Sequence, residues 1–231
     1  MNSTLNVLQD VLAAREKMKL PVKRPITSVF LTGFDSGSLF DDILMKLGNV
    51  LHVNYGMNPD DFEASLDYQL LKPKYNPQEL TQITTKFIEL TNETVMRNLS
   101  SGVKLNTDGK DYTILPSEIV LKPKKQEISA FSGQACKLAL DSTVTDEVKV
   151  LWLRREVTRA IQSIRKEFGL SRGDKIKVDI AVNGEENGQL KEAVLSDVLR
   201  RVNGSEGKGQ KLLKIQDLNI LNNTVVVSVY S

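Results

Sequence analysis

The chain of 231 residues is 40% hydrophobic, and its 31 Lys and Arg against 29 Asp and Glu give a net charge of +2. This length and composition fit one large or two small domains with packed cores, and they exclude an intrinsically disordered chain. The single cysteine, Cys136, and the single histidine, His52, exclude a disulfide framework, a multi-cysteine zinc site and most histidine-based metal or base chemistry.

Residues 1 to 25 are predicted to form a helix and the segment that leaves it. Ser3 or Thr4 serves as the N-cap, and apolar residues recur at helical spacing from Leu5 to Leu12, before two prolines. We assign these residues as a separate N-terminal segment.

Residues 26 to 134 are predicted to form a first α+β subdomain. Asn76 before Pro77, with Glu79 two residues later, starts one helix, and Asp108-Gly109 marks a β-hairpin. The predicted helices begin at Ser38, run from Pro77 to about Leu90 and from Glu93 to Leu99, and the predicted extended segments are 26–31, 51–55, 62–71, 103–105, 112–115 and 119–122.

Residues 135 to 231 are predicted to form a second α+β subdomain in the order β-α-β-α-β-β. Its strands are 135–140, 176–182, 212–215 and 224–230, and its helices follow Thr145 and run from Leu190 to Val202. The glycine-rich segment 204–209 follows a helix, whereas a phosphate-binding loop follows a strand, so we predict a flexible connector there. The fold class is therefore α+β: an N-terminal helix followed by two small mixed units whose short sheets are covered by amphipathic helices.

The long helix after Thr145 is the most informative element, because it places a basic stripe opposite an apolar one. At about 100° per residue, the apolar face collects Val150, Leu153, Val157, Ile161, Ile164 and Phe168, and the opposite face collects Arg155, Arg159, Gln162 and Lys166. Cations and an amide at steps of four, three and four residues suit the phosphate backbone of a nucleic acid. An ordinary solvent-facing surface, with Glu156 and Glu167 as local partners, is the alternative.

Charge and hydropathy point to a soluble partner for this stripe. Residues 147 to 177 carry nine Lys and Arg against four acids, and residues 1 to 25 carry five against two. Segregated charge permits a positive surface for an anionic partner on a nearly neutral molecule. No stretch reaches the roughly 18 apolar residues of a membrane helix, and no secretory signal pattern opens the sequence. We expect a cytoplasmic protein with no membrane partner.

No catalytic constellation is visible in the sequence. Asp41-Asp42 and Asp60-Asp61 are adjacent carboxylates, not a pair placed across a cleft, and no Ser-His-Asp or Cys-His arrangement can be completed with one histidine. Cys136 lies in an apolar run, where we expect a buried thiol. We expect neither a catalytic nor a metal site in this chain.

Several segments resemble the C-terminal region of isoleucyl-tRNA synthetase, in the same order along the chain. They cover roughly residues 7 to 182 and comprise Ala13-Ala14-Arg15-Glu16-Lys17 with Leu20-Pro21-Val22 and Arg24-Pro25, Lys72-Pro73-Lys74-Tyr75, Leu115-Pro116-Ser117-Glu118, and Leu140-Asp141-Ser142-Thr143 followed by Arg155-Glu156-Val157, Arg159, Ile161-Gln162, Arg165-Lys166 and Asp174-Lys175-Ile176. The sequence departs from the family at 151–154, where Trp152 is predicted to be buried, and it lacks the zinc-binding cysteines that end many bacterial members.

The resemblance implies a noncatalytic tRNA-binding module that contacts the anticodon arm of tRNA(Ile) in support of aminoacylation. It implies that residues 1 to 25 close the helical anticodon-binding domain and that the partners are tRNA(Ile) and the catalytic and anticodon-binding domains of the synthetase. ATP and isoleucine bind the catalytic domain, whose signatures this sequence lacks, so we expect no cofactor. The tRNA-binding residues it implies are Arg155, Arg159, Gln162, Arg165, Lys166, Arg15, Lys17, Lys19, Lys23 and Arg24.

The alternative function is protein docking within a synthetase assembly. Exposed apolar surface on the helix 5–18 motivates it, because in the family this helix packs on a preceding bundle.

Overall fold

The computed structural model describes residues 2–33, 38–183, 187–220 and 223–231. They form two compact units, residues 1–143 and 144–231. The described residues contain seven helices and twelve strands, arranged in two four-stranded and two two-stranded sheets. This confirms the predicted α+β class.

The first unit contains five helices and eight strands among its described residues. These are α1 (Asn2–Lys17), β1 (Ile26–Leu31), α2 (Ser38–Leu47), β2 (Val50–Tyr55), β3 (Phe62–Leu66), α3 (Tyr68–Leu71), α4 (Pro77–Glu89), α5 (Asn92–Arg97), β4 (Val103–Thr107), β5 (Lys110–Ile114), β6 (Ile119–Pro123), β7 (Ile128–Ser132) and β8 (Lys137–Asp141). The side chains of Ser3, Thr4 and Ser38, predicted as N-caps, lie outside the described residues.

The main sheet of the first unit has the strand order β2-β1-β8-β7. β1 and β2 are parallel because α2 connects them as a crossover, and the remaining neighbours are antiparallel. The apolar face of α1 covers this sheet, and its buried residues Val7, Leu8, Val11 and Ala14 join the sheet core. The helix therefore belongs to the core of this unit.

A second core of the first unit lies among the residues between β2 and β7. There the capping box predicted at Asn76 and Glu79 is present, and Ile83 and Phe87 of α4 are buried. The predicted hairpin is also confirmed, because Asp108 and Gly109, both at positive φ, connect β4 and β5.

The extended segment predicted over 62–71 is only half right. The strand β3 ends at Leu66, and the Asp67 side chain accepts a hydrogen bond from the Gln69 N–H and caps the one-turn helix α3. A local side-chain cap thus overrides the apolar run, which by itself does not distinguish a short helix from a strand.

The strand predicted at 135–140 belongs to the first unit and not to the second. β8 lies between β1 and β7 and pairs with both, for example Val29 with Leu140 and Ala130 with Ala139. The boundary between the units therefore follows Thr143, not residue 134. The sequence pattern also missed β7, the hairpin partner that holds β8 in this sheet.

The second unit is an α/β layer. It contains α6 (Asp146–Glu167), β9 (Ile176–Asn183), α7 (Asn187–Val202), β10 (Gly204–Glu206), β11 (Leu212–Ile220) and β12 (Asn223–Tyr230). The strand order is β10-β9-β12-β11, and the buried core joins residues of α6 and α7 to alternating residues of β9 and β12. Trp152 packs against this core but is only half-buried, so its predicted burial is confirmed in part.

The glycine-rich segment 204–209 is not only a connector. Its first three residues form β10, which pairs in parallel with β9 through Gly204 opposite Ile176. A Cβ at Gly204 would lie 3.4 Å from side-chain atoms of Ile176 and Val178, so the absence of a side chain allows this close approach. A strand of three residues with no apolar alternation leaves no periodic signal.

The two units repeat one arrangement of six elements. In the first unit these are α1, β1, α2, β2, β7 and β8, and in the second they are α6, β9, α7, β10, β11 and β12. The two sheet orders correspond strand by strand, each with one parallel pair and two antiparallel pairs. The first copy differs by the residues inserted between β2 and β7. The chain therefore contains an internal structural repeat.

Candidate nucleic-acid interface

The helix α6 has the two faces that its sequence predicts. Thr145 caps it by accepting a hydrogen bond from the Val148 N–H at 3.3 Å, and Leu153, Val157, Ile161 and Ile164 are buried. Phe168 is an exception, because it lies at the C-cap and remains 43% exposed.

The opposite face of α6 carries the predicted stripe. Arg159, Gln162 and Lys166 are exposed, and Arg155 is half-buried. Arg159 forms an ion pair with Glu156 at 2.9 Å. Burial, with Arg159 and Arg201 nearby, lowers the pKa of Arg155 from its usual value. Arg159 and Arg201 thus lie close enough to Arg155 to disfavour its charged form.

Arg165 faces inward although it belongs to the predicted tRNA-binding set. It is only 7% exposed, and its guanidinium donates to the carbonyl oxygens of Val202 at 3.0 Å, Asp174 at 2.9 Å and Ser171. These bonds tie α6 to the turn that follows it and to the end of α7. The guanidinium is therefore not accessible to a phosphate from solvent.

A cleft of about 770 Å³ lies beside Arg165, between α6, the following turn and the end of α7. The cations that line it are Arg165, Lys166, Arg172, Arg200 and Arg201. None of the described residues that line the cleft is acidic. Its remaining walls include Gln162, Leu170 and Asn203. The cleft therefore combines a positive rim with amide groups and an apolar side chain.

Asp197 lies next to the cleft and holds several arginines in place. Its carboxylate accepts hydrogen bonds from Arg200 and Arg201, each at 2.7 Å, and lies 3.4 Å from the Arg154 guanidinium. These arginines lower the pKa of the Asp197 carboxyl below its usual value. One carboxylate thus contacts three arginines and fixes the positions of Arg200 and Arg201 at the cleft.

Sequence reasoning missed Arg172, Arg200, Arg201 and Asn203. A usable signal was present, because Arg200 and Arg201 form the basic last turn of an amphipathic helix. What sequence could not supply is the packing of α7 against α6, which brings that turn beside Lys166.

The predicted cations of residues 1 to 25 lie in the first unit. Arg15 is 1% exposed and donates to the carbonyl oxygens of Gly48 at 3.2 Å, Pro21 at 2.7 Å and Arg24. Burial, with Arg24 nearby, lowers the pKa of Arg15 to about 10. Like Arg165, it is inaccessible to a phosphate from solvent.

The other four predicted residues of this segment remain at the surface. Lys17, Lys19 and Lys23 are exposed, and Arg24 is half-buried. The Lys17 ammonium lies 5.9 Å from the centre of the Phe131 ring, within the range of a cation–π contact. Lys17 also lines a smaller cavity of about 340 Å³, next to Phe131.

Two segments that carried the family resemblance meet in the first unit. The Lys74 ammonium pairs with the Glu118 carboxylate, which also accepts a hydrogen bond from the Leu115 N–H at 2.7 Å. Glu118 is 2% exposed. These segments therefore have a structural role, as a link between α3 and the turn before β6.

The described residues contain no group of three metal-ligating side chains and no helix long and apolar enough to cross a membrane. Burial, with Asp10 nearby, raises the pKa of the Cys136 thiol to about 12, so the thiol stays protonated at neutral pH.

Comparison with known proteins gives the family context. No protein-family model matches the chain. Isoleucine-tRNA ligase of Methanococcus aeolicus is 24% identical over 222 residues, which are 93% of this chain and 20% of that protein. The Bacteroides thetaiotaomicron ligase is 24% identical over 83% of this chain and 17% of its own length, and that of Methanocaldococcus jannaschii is 24% identical over 84% and 19%. The chain is homologous to a region of isoleucine-tRNA ligase and spans about a fifth of these relatives.

Proposed function

We propose that the chain is a noncatalytic tRNA-binding module from the C-terminal region of an isoleucine-tRNA ligase, and that its second unit contacts the anticodon arm of tRNA(Ile) in support of aminoacylation. The observation that carries the proposal is the positive cleft between α6 and α7. The homology supplies the class of partner, because the relatives are named as ligases that act on a tRNA.

The charge of the second unit supports an anionic partner. Residues 144 to 231 carry 15 Lys and Arg against 12 acids, whereas residues 1 to 143 carry 16 against 17. Lys166 and Arg172 make no ion pair within the described residues, so a phosphate displaces no protein partner. Contacts of this kind position a nucleic acid and release counterions.

The proposed contact surface consists of exposed or half-buried residues. From the predicted set it keeps Arg155, Arg159, Gln162 and Lys166, and it adds Arg172, Arg200 and Arg201. We leave out Arg15 and Arg165 because both are buried. Lys17, Lys19, Lys23 and Arg24 form a second proposed contact region in the first unit.

The other proposed partners are the catalytic and anticodon-binding domains of the synthetase. ATP and isoleucine bind the catalytic domain in this proposal, and the protein acts in the cytoplasm. Residues 1 to 25 are proposed to join the module to the anticodon-binding domain.

Protein docking remains a second candidate function for the first unit. Most of the apolar face of α1 is not exposed as expected, because Val7, Leu8, Val11 and Ala14 are buried in the core of their own unit; Leu5 is 51% exposed. A different observation favours docking, since Val22 is 48% exposed and Leu47 is 57% exposed. The Val22 carbonyl accepts from Asn49, two residues after Leu47, so these side chains lie on one region of the surface.

The decisive experiment measures binding of tRNA(Ile) to the 231-residue chain by filter binding at several salt concentrations. The triple variant Arg159→Gln, Lys166→Gln, Arg172→Gln should weaken binding about tenfold or more and reduce the slope of log K against log salt by about 2, because three phosphate contacts are lost. The matched control is Lys177→Gln, Lys208→Gln, Lys211→Gln, which removes the same charge from exposed sites outside the cleft.

Equal losses of tRNA affinity in both triple variants would show that binding depends only on the net charge of the chain and not on the cleft. Unchanged tRNA binding in the cleft variant, with an intact circular dichroism spectrum, would refute the assigned surface. Capture of synthetase domains without any tRNA affinity would favour docking.

A further inference from the structure

The internal repeat separates residues that the fold requires from residues that it does not. Arg15 and Arg165 each donate to carbonyls six and nine residues later and to the carbonyl of a third residue near the end of the next crossover helix. That third residue is Gly48, directly after α2, for Arg15, and Val202, the last residue of α7, for Arg165. Asn49 and Asn203 each follow that residue, at φ 52°, and each donates to two carbonyls of the turn after the first helix. This arginine and asparagine pair is common scaffold.

The residues around this scaffold differ between the two copies. Three residues before, one residue after and seven residues after the buried arginine, the first copy has Leu12, Glu16 and Val22, and the second has Gln162, Lys166 and Arg172. Two residues before the asparagine, the first copy has Leu47 and the second has Arg201. The first copy has apolar residues at three of these four positions and an acid at the fourth, so the shared scaffold does not require the amide and the cations of the second copy.

The floor of the cleft carries a fixed positive charge. Arg165 donates to three carbonyl oxygens and, within the described residues, to no carboxylate. Its charge is therefore solvated by backbone carbonyls, and the Asp174 carboxylate in the same turn accepts a hydrogen bond from the Ser171 N–H at 2.6 Å. Charge in such a partly dry site acts on a nearby anion more strongly than the same charge in water. A phosphate at the rim between Lys166 and Arg172 would benefit from it.

The walls of the cleft suit a base more than a second phosphate. Leu170 is half-buried and packs on the core, which offers an apolar wall. The Gln162 amide makes no hydrogen bond within the described residues and can both donate and accept. The Asn203 amide nitrogen is engaged by Arg172 and Gly173 carbonyls, which leaves its oxygen as an acceptor.

The size of the cleft selects the form of the nucleic acid. Its 770 Å³ falls in the range of about 300–1,000 Å³ that is typical of sites for small ligands. A duplex presents its phosphates on a convex surface that is too wide to enter, whereas an unpaired nucleotide can turn its base out of the strand. Arginine side chains at the rim can stack on such a base.

We propose that the cleft between α6 and α7 binds a single unpaired nucleotide, with its phosphate at Lys166 and Arg172 and its base against Leu170 within reach of the Gln162 amide. This inference rests on the proposed function and adds the class of RNA structure that the site accepts. Arg165 and Asn203 hold the two sides of the cleft in place.

The test compares three probes on the full 231-residue chain by methyl NMR: a single-stranded RNA hexamer, an RNA duplex with the same number of phosphates, and inorganic phosphate. The hexamer should shift the methyl signals of Leu170 and Val202, and leave those of Val226 on β12 unchanged. The duplex should require at least about tenfold higher concentration for equal occupancy.

The variant Gln162→Leu separates base recognition from charge. It should weaken hexamer binding about fivefold, the loss expected for one hydrogen bond, and leave the salt slope unchanged. The variant Lys166→Gln should instead reduce the slope by about 1. Gln162 is exposed, so the fold of the variant is retained, and thermal unfolding checks this.

The outcomes distinguish the inference from the proposed function. If tRNA(Ile) binds but the methyl signals of Leu170 and Val202 do not shift, the inference fails and the proposed function stands. The same holds if the duplex binds the cleft at the same concentration as the hexamer. If phosphate alone reproduces the shifts with the same midpoint, the cleft is a simple anion site and the inference fails. If no RNA binds, both fail.

Discussion

Arg15 and Arg165 are cations that stabilise the fold and are not exposed for binding. Both lie in the last turn of a helix, where a cation is usually assigned to solvent or to an anionic ligand. In both units the long side chain instead reaches the carbonyls of the next turn and is buried there. A guanidinium has five donors in a fixed planar arrangement, so it can satisfy several carbonyls at once, which lysine cannot do in the same geometry.

Asp197 determines the pH dependence of stability around the cleft. Its folded pKa lies below the unfolded value of about 3.9, because Arg200 and Arg201 favour the charged form. Its contribution to stability is therefore present above that value and is lost as the pH falls through the folded pKa. We predict that Asp197→Asn lowers the melting temperature by a few degrees at pH 7.

The check is thermal unfolding of both proteins between pH 7 and pH 2. The difference between them should shrink below about pH 4 and vanish at the acid end, because the wild-type carboxylate is then protonated. A difference that stays constant across this range would show that the ion pairs with Asp197 contribute no pH-dependent stability.

At the scale of elements, Asp10 of α1 clamps the hairpin formed by β7 and β8. Its carboxylate accepts hydrogen bonds from the Gln134 N–H at 2.9 Å and the Ala135 N–H at 2.8 Å. A Cβ at Gly133 would lie 2.2 Å from this carboxylate, so Gly133→Ala must displace it. We predict a loss of about 1–3 kcal/mol in the free energy of unfolding, the cost of the two broken bonds.

Denaturant unfolding measures this loss. The control must be a glycine-to-alanine change without backbone strain, which rules out Gly207 because it lies at positive φ. Gly173→Ala is suitable, since the nearest atom to its Cβ is 3.8 Å away. Equal stability of Gly133→Ala and Gly173→Ala would contradict the clamp.

Elements with strong local signals could be predicted from the sequence. Asn76 and Glu79 form the expected capping box, Asp108-Gly109 forms the expected turn, and the apolar stripe from Leu153 to Ile164 is buried as expected. β7 and β10 could not be predicted, because short strands are stabilised by neighbours far along the chain. The cleft could not be predicted for the same reason, because no local sequence pattern around Arg201 indicates that it lies near Lys166.

At the scale of the whole molecule, the internal repeat explains the distribution of charge. The same scaffold carries exposed apolar residues such as Val22 and Leu47 in the first copy, and cations such as Arg172 and Arg201 in the second. The residues inserted between β2 and β7 separate the first copy into two parts along the chain.

The boundary between the units leads to a prediction about independent folding. Each unit has its own core, and β8 completes the sheet of the first unit through β1 and β7. We predict that residues 144–231, expressed alone, fold cooperatively, because Thr145 still caps α6 and every strand keeps its partners. Residues 1–143 should likewise fold alone.

A cut nine residues earlier provides the contrast. Residues 1–134 lack β8, so β1 and β7 lose the strand between them and the buried side chains of Leu138 and Leu140 leave the core. Two lost leucines alone cost about 4–10 kcal/mol, comparable to the whole stability of a domain. Circular dichroism and amide NMR dispersion should show a folded 1–143 and an unfolded 1–134. If 1–134 retained native dispersion, β8 would be dispensable and the boundary at Thr143 would be wrong.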